Sequence, residues 1–154
     1  MTADDLLNDL GLTAGLPEFR FDAKGCARLM FDDKVAVNFE NDESARCIHL
    51  YSPVAPLPTE RHEALYKSLL QANLFGSETL GATLAIDDLQ DEIVMCRCVP
   101  TQDTTGKAFA EVLERFVTAV EEWTQKLGSA AFQEPVDISA RPVQLPPSMA
   151  FLRV

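Results

Sequence analysis

Residues 69–100 read LLQANLFGSETLGATLAIDDLQDEIVMCRCVP, and this stretch decides the fold. It opens on the end of an apolar helical stripe, which is broken at residues 73–76. Alternating apolar residues then predict strands over residues 82–86 and 93–98, because a strand places every second side chain on the same face. The acidic run at residues 87–91 predicts the turn between them. The stretch therefore predicts a helix followed by a β-hairpin.

Length and composition indicate one soluble domain. The chain has 154 residues, of which 47% are hydrophobic and 24% charged, ordinary proportions for a globular domain. Its four cysteines do not suggest a disulfide framework, because residues 1–5, MTADD, open acidic where a secretory signal is basic. No apolar run approaches the roughly 20 residues that span a bilayer. We therefore expect a cytoplasmic protein with reduced thiols and no membrane insertion.

The net charge makes nucleic acid a poor partner. Twenty-four Asp and Glu residues against thirteen Lys and Arg residues give a net charge of -11, which repels phosphate backbones and anionic membrane surfaces. A basic or neutral polypeptide segment is compatible with this charge, although solubility alone also accounts for it. We expect no nucleic-acid partner.

The first half of the chain predicts one short helix and three strands. Thr2 and Asp5 have the spacing of a capping box, and Gly11 is expected to end the helix. Phe19 and Phe21 follow, in a short strand or an extended lead-in. Period-2 alternation then predicts an antiparallel meander of three strands, residues 25–31, 35–40 and 46–51.

An extended connector and an amphipathic helix follow the meander. Pro53, Pro56 and Pro58 predict the connector, because proline removes the donors of a strand ladder. The helix after it carries one apolar stripe, formed by Leu65, Tyr66, Leu69, Leu70 and Leu74.

A long helix closes the domain. Thr104 or Thr105 is expected to cap it and Gly128 to end it. Its polar face presents the pairs Glu111 with Arg115 and Glu122 with Lys126. Its apolar face carries Phe109, Val112, Leu113, Phe116, Val117, Val120, Trp123 and Leu127. We expect a domain over residues 1–128 and a Pro-rich, mobile tail over residues 129–154.

The predicted element order is α-β-β-β-α-β-β-α, an α+β fold with a twisted antiparallel sheet flanked by helices. In this order, four segments resemble the class I type III secretion chaperones, the Tir-chaperone family. They are NLF at residues 73–75, GATLAID at 81–87, EIVMCR at 92–97 and the helix over 109–123. The resemblance extends over about residues 2–127. The tail departs from it, because these proteins commonly stop soon after the last helix.

The resemblance implies a chaperone that binds the N-terminal chaperone-binding segment of a secreted effector. Such a chaperone keeps the segment soluble and non-globular and helps deliver it for secretion. The segment can add a strand to a sheet edge and lay short helices into apolar grooves. By resemblance, the effector-binding residues here are Leu6, Leu7, Leu10, Phe19, Phe21, Leu29, Phe31, Val35 and Val37. Taken singly, each of them is equally compatible with a place in the core.

The resemblance also implies a homodimer, with the contact on the second helix and the strand after it. A two-fold interface repeats every substitution on both chains. The implied interface residues are Leu65, Leu69, Leu80, Ala82, Leu84 and Ile86.

No motif in the sequence indicates an enzyme or a cofactor. The chain has no Gly-x-Ser-x-Gly elbow, no Gly-x-x-x-x-Gly-Lys loop and no Gly-x-Gly-x-x-Gly fingerprint. The carboxylate pairs at residues 32–33 and 87–88 fall in predicted turns, where Asp is common. We expect neither catalysis nor a cofactor.

Two short segments place metal-binding side chains on one face of a strand. They are Cys47-Ile48-His49 and Cys96-Arg97-Cys98, and four such ligands can surround zinc. The spacing is not the usual Cys-x-x-Cys, and a buried free cysteine commonly behaves as a small hydrophobe. We expect no metal site, and zinc analysis of the purified protein tests this.

The alternative function is a fold-related regulatory or sensory protein-interaction domain without an effector client. Co-purification distinguishes the two, because a chaperone brings down a secreted protein through that protein's N-terminal region.

Overall fold

The structure is a computed structural model that describes residues 1–60 and 62–129. Its elements are α1 (Ala3–Thr13), β1 (Cys26–Phe31), β2 (Val35–Asp42), β3 (Cys47–Pro56), α2 (His62–Asn73), a 3₁₀ turn (Leu74–Gly76), β4 (Thr83–Asp87), β5 (Glu92–Pro100) and α3 (Gly106–Gly128). The predicted order of helices and strands is confirmed. The predicted tail lies, from residue 130 on, outside the described residues. Among the described helices, none has both the length and the apolar character needed to cross a membrane.

One antiparallel sheet carries the fold, with the strand order β1-β2-β3-β5-β4. The helix α3 lies against β2, β3 and β5, and α1 lies against α3. Both helices therefore cover the same face of the sheet. The largest fully buried side chains between them are Phe39, Ile48, Leu50, Phe109, Phe116 and Trp123.

The last helix is anchored at both ends. The Thr105 hydroxyl accepts a hydrogen bond from the N–H of Ala108 at 3.2 Å and caps the start of α3. Near its end, the indole N–H of Trp123 donates to the carbonyl oxygen of Glu78 at 2.9 Å. The ammonium of Lys126 lies 4.3 Å from the centre of the Trp123 ring, a favourable cation–π geometry.

The two ion pairs predicted along α3 are not formed within the described residues. Glu111 pairs with Lys107 at 3.8 Å, one turn earlier than expected, and Lys126 pairs with Glu78 at 3.4 Å.

The prediction that the prolines form a connector is wrong for two of the three, since β3 continues through Pro53 and Pro56. The strand β2 pairs with β3 only as far as Tyr51. Beyond it, β3 pairs with β5 alone, and the register shifts between Pro53 and Ala55. Proline is tolerated here because one side of the ladder is open.

The prediction that Gly11 ends the first helix is also wrong, because α1 continues to Thr13. A Cβ atom at Gly11 would lie 2.7 Å from the carbonyl oxygen of Leu16 and 3.1 Å from Cβ of Phe19. The glycine therefore allows the helix and the segment after it to approach closely. That segment, which contains Phe19 and Phe21, forms an extended lead-in and no strand.

Candidate binding surfaces

The helix α1 is fixed by the predicted capping box. The Thr2 hydroxyl accepts from the N–H of Asp5 at 3.1 Å, and the Asp5 carboxylate accepts from the N–H of Thr2 at 2.8 Å. The bond from the Thr2 backbone, followed by the Thr2 side chain, lowers the pKa of the Asp5 carboxyl. The capped helix directs Leu6 and Leu7 into the core, where neither has any exposed surface.

Five of the nine residues proposed for effector binding are core residues in this fold. In the single chain, these five side chains support the surface from beneath. They are Leu6, Leu7 and Leu10 on α1 and Val35 and Val37 on β2, all at most 9% exposed. Their assignment to effector contact stays a prediction that no observation here tests.

The other four proposed residues, Phe19, Phe21, Leu29 and Phe31, are half-buried and pack against the core. The Phe19 ring meets the Phe39 ring edge-on, with centroids 5.6 Å apart. Two neighbouring leucines that we did not predict are more exposed, Leu12 at 59% and Leu16 at 43%. The sequence signal for Leu12 was its position outside the apolar face of α1.

The strand β1 is a free edge of the sheet over part of its length. Within the described residues it pairs only with β2. At the start of β1, the main-chain groups of Cys26 that point away from β2 already have partners. The Cys26 N–H donates to the Asp22 carboxylate, and the Cys26 carbonyl accepts from the Asp22 N–H. Because main-chain groups alternate along a strand, those of Arg28 and Met30 also point outward. These groups form an edge that another strand can join, and the Met30 side chain is 49% exposed.

The residues proposed for the dimer contact lie mostly beneath the surface. Leu65 and Leu69 of α2 and Ala82 and Leu84 near β4 are each at most 5% exposed. Leu80 is half-buried, and Ile86 is 37% exposed. Of the six, Ile86 has the most surface to offer a second copy.

Part of the apolar stripe predicted on α2 is exposed to solvent. Leu70 and Leu74, assigned to that stripe, are 71% and 62% exposed. Phe75 has a φ of 56° and is 96% exposed. We name Leu70, Leu74, Phe75 and Ile86 the α2–β4 patch, because α2 contacts β4. Exposed apolar side chains concentrated in one region indicate a protein contact surface.

Asn73 connects the end of α2 to the edge strand β4. Its side-chain amide donates to the carbonyl oxygen of Leu84 at 2.9 Å, and its side-chain oxygen accepts from the Leu84 N–H at 2.8 Å. The side chain thus takes the place of a neighbouring strand at Leu84. It closes the edge of β4 there, whereas no other strand of the described residues pairs with the outer edge of β1 at Arg28 and Met30.

Arg97, a residue of the sheet, holds the loop before β4 in place. The Arg97 guanidinium donates to the carbonyl oxygen of Leu80 at 3.0 Å. Burial, and secondarily the nearby Arg115 charge, lower the pKa of Arg97. This contact fixes the end of the loop that lies next to the α2–β4 patch.

Comparison with known proteins identifies the family. The model of the Tir chaperone protein (CesT) family matches residues 5–124. A protein of Chlamydia pneumoniae is 30% identical over 119 residues, which cover 77% of this chain and 88% of the relative.

Solved structures share the fold. The ExsC–ExsE complex matches with a TM-score of 0.67 and 20% identity, covering 81% of this chain and 96% of the other. The Yersinia pestis type III secretion chaperone SycH, in complex with a fragment of YscM2, matches with a TM-score of 0.64 and 21% identity. The match covers 79% of this chain and 99% of the SycH chain. YbjN, a candidate transcription regulator from E. coli, matches with a TM-score of 0.54 and 16% identity. The match covers 84% of this chain and 89% of the YbjN chain. The resemblance inferred over about residues 2–127 is confirmed, and the chain belongs to the Tir chaperone protein (CesT) family.

Proposed function

We propose that this protein is a type III secretion chaperone of the bacterial cytoplasm. It acts as a homodimer, binds the N-terminal segment of a secreted effector, and has no catalytic activity. The observation that carries the proposal is the family match over residues 5–124. Among the structures with this fold, HopA1–SchA is described as a chaperone–effector complex. The net charge of -11 suits a polypeptide partner better than nucleic acid.

The effector surface in this proposal combines the open edge of β1 with apolar residues that precede it in the chain. The main-chain groups of Arg28 and Met30 accept an added strand. The exposed Leu12 and Leu16 and the half-buried Phe21, all in the segments that precede β1, offer apolar contacts to the same partner. Main-chain pairing binds many sequences, while the apolar side chains discriminate among them.

A proline at Met30 tests the edge. Met30→Pro removes the outward N–H needed for strand addition, while an edge strand tolerates proline. Met30→Ala is the matched control, because it shortens the side chain and keeps the N–H. The tagged wild type and both variants are used to capture secreted proteins from a strain with an active secretion system.

We expect at least one secreted protein to bind the wild type and Met30→Ala and to be lost with Met30→Pro. Its N-terminal segment alone should suffice for binding, and its deletion should abolish binding. Circular dichroism confirms that Met30→Pro is folded. If folded Met30→Pro captures the same proteins as the wild type, strand addition at β1 is refuted.

The dimer contact in this proposal is the α2–β4 patch. Leu70→Glu places a charge on a side chain that is already 71% exposed, so the monomer fold should survive. Light scattering should show the mass falling from two 17.0 kDa chains to one. Leu12→Glu, at an exposed leucine of α1, is the control and should remain dimeric. An unchanged mass for Leu70→Glu would exclude this patch.

Leu84→Glu is not a suitable test of the dimer. Leu84 is 4% exposed, so the charge would lie in the core and its unfavourable burial would unfold the chain. Substitutions at exposed residues of the α2–β4 patch, such as Leu70→Glu, test dimer assembly without placing a charge in the core.

A fold-related regulatory domain is the second candidate, favoured by the similarity to YbjN. The N-terminal-segment experiment separates the two. A regulatory domain would bind a folded partner, and removal of that partner's N-terminal segment would leave binding unchanged.

A further inference from the structure

Three neighbouring strands bring two cysteines, one histidine and one aspartate together. Pairing of β2 with β3 sets Asp42 opposite Cys47, and pairing of β3 with β5 sets His49 opposite Cys98. Directly opposite residues share a face of the sheet, as do residues two apart on one strand. All four side chains therefore lie on the face that α1 and α3 leave uncovered.

Two of the separations in this cluster match those of a zinc site. The Cys47 Sγ atom, one ring nitrogen of His49 and the Cys98 Sγ atom all lie within 4.8 Å of one another, and the Asp42 carboxylate lies outside this group of three. Cys47 Sγ is 3.5 Å from His49 Nε2, and His49 Nε2 is 3.6 Å from Asp42 Oδ2. With usual bond lengths, tetrahedral zinc separates a sulfur and a nitrogen ligand by about 3.6 Å and a nitrogen and an oxygen ligand by about 3.4 Å. The two measured separations thus need almost no adjustment.

Asp42 is held with one oxygen free for a metal. Its Oδ1 accepts from the Ser44 hydroxyl at 2.7 Å and from the Ala45 N–H at 2.9 Å. The second oxygen, Oδ2, faces His49. A ligand whose orientation is fixed by outer hydrogen bonds is typical of metal sites.

An acidic cleft borders this cluster at Asp42 and His49. It has a volume of about 520 Å³ and is lined by Asp42 and His49 together with Glu40, Glu43 and Lys24. Three carboxylates against one ammonium favour the approach of a cation.

We propose that Cys47, His49 and Cys98 form a Zn²⁺ site on the outer face of the sheet, and that the Asp42 carboxylate, which contacts His49, moves towards the two sulfur atoms to become the fourth ligand. Two thiolates, an imidazole and a carboxylate in tetrahedral arrangement favour zinc over magnesium or calcium, which prefer oxygen ligands. With four protein ligands the site is structural, and it ties β2, β3 and β5 together. The site does not depend on the chaperone function, because its ligands are separate from the β1 edge and from the α2–β4 patch.

Metal analysis of the full-length chain, purified with reductant and without chelators, tests the site. We expect about one zinc per chain in the wild type, and tetrahedral thiolate–cobalt absorption when Co²⁺ replaces zinc. Cys98→Ser and His49→Ala should lose both signals, and Asp42→Asn should bind zinc about tenfold more weakly. Cys96→Ser is the matched control, because Cys96 lies two residues away on the same face of β5 but outside the cluster.

Zinc should raise the melting temperature of the wild type and of Cys96→Ser but not of Cys98→Ser. Cys98 is exposed, so its replacement by serine should leave the apo fold intact by circular dichroism. Absence of zinc and of thiolate–cobalt absorption in the reduced wild type would overturn the proposal. Equal metal binding by folded Cys98→Ser would overturn it as well.

Discussion

Gly11→Ala is expected to destabilise this protein, although the same change stabilises most helices. Gly11 lies inside α1, where alanine is favoured over glycine by roughly 0.5–1 kcal/mol. The added Cβ would meet the carbonyl oxygen of Leu16 at 2.7 Å. An ordinary contact of this kind is longer by about half an ångström or more, so the backbone at Leu16 must move.

Hydrogen bonds oppose that movement. The Leu16 N–H donates to the Gly11 carbonyl at 2.7 Å, and the Leu16 carbonyl accepts from the Phe19 N–H at 2.9 Å. Weakening both bonds costs about 0.5–1.5 kcal/mol each, and displacement of the half-buried Phe19 ring adds a packing cost of similar size. After the helical gain is subtracted, we expect the free energy of unfolding to fall by about 1–3 kcal/mol.

Urea unfolding followed by circular dichroism measures this change, at one fixed chain concentration because a dimer is stabilised by mass action. Gly128→Ala is the matched control. Gly128 is the last residue of α3, and a Cβ there would meet no heavy atom within 4 Å. It should be neutral or gain up to about 1 kcal/mol. A Gly11→Ala protein as stable as the wild type, or more stable, would show that the loop yields freely and refute the reasoning.

Three further outcomes are expected. Asn73→Ala should lower the free energy of unfolding by about 1–3 kcal/mol in urea titrations, because it leaves the N–H and carbonyl of Leu84 without their partner; an unchanged midpoint would argue against this contact. Trp123→Phe should cost about 1–3 kcal/mol through a lost hydrogen bond and a small cavity, and wild-type stability would contradict the anchoring of α3. Hydrogen bonds lower the pKa values of Asp5 and Asp22 from 3.8, so the stability they contribute is fully present above that pH and is lost as pH falls through their folded values. Unfolding measured against pH should show a shallower acid loss in the Asp5→Asn, Asp22→Asn protein, and an unchanged acid slope would contradict the assignment.

Local patterns predicted most of the elements correctly. The Thr2 capping box, the alternation in β1 and β2 and the three- and four-residue steps of α3 each depend on backbone geometry within a few residues. Gly11 and the prolines of β3 were misread because their roles depend on what lies across the sheet or loop. A glycine that ends a helix and one that admits a neighbouring carbonyl look alike in sequence.

The candidate sites were less predictable than the elements. The sequence set Cys47 beside His49 and Cys96 beside Cys98, but only the register of β3 against β5 brings Cys98 to the first pair and leaves Cys96 out. Register follows from which faces are buried across the whole sheet. No pattern within one strand contains that information.

By itself the sequence determined the order of helices and strands, the alternating faces and the family, because these follow from local periodicity and from short motifs. Only the tertiary structure decided which apolar residues have surface to offer. Leu7 and Leu70 are both leucines on amphipathic helices, yet the first has no exposed surface and the second is 71% exposed. The physical reason is that burial depends on whether another element covers a side chain, and that element comes from a distant part of the chain.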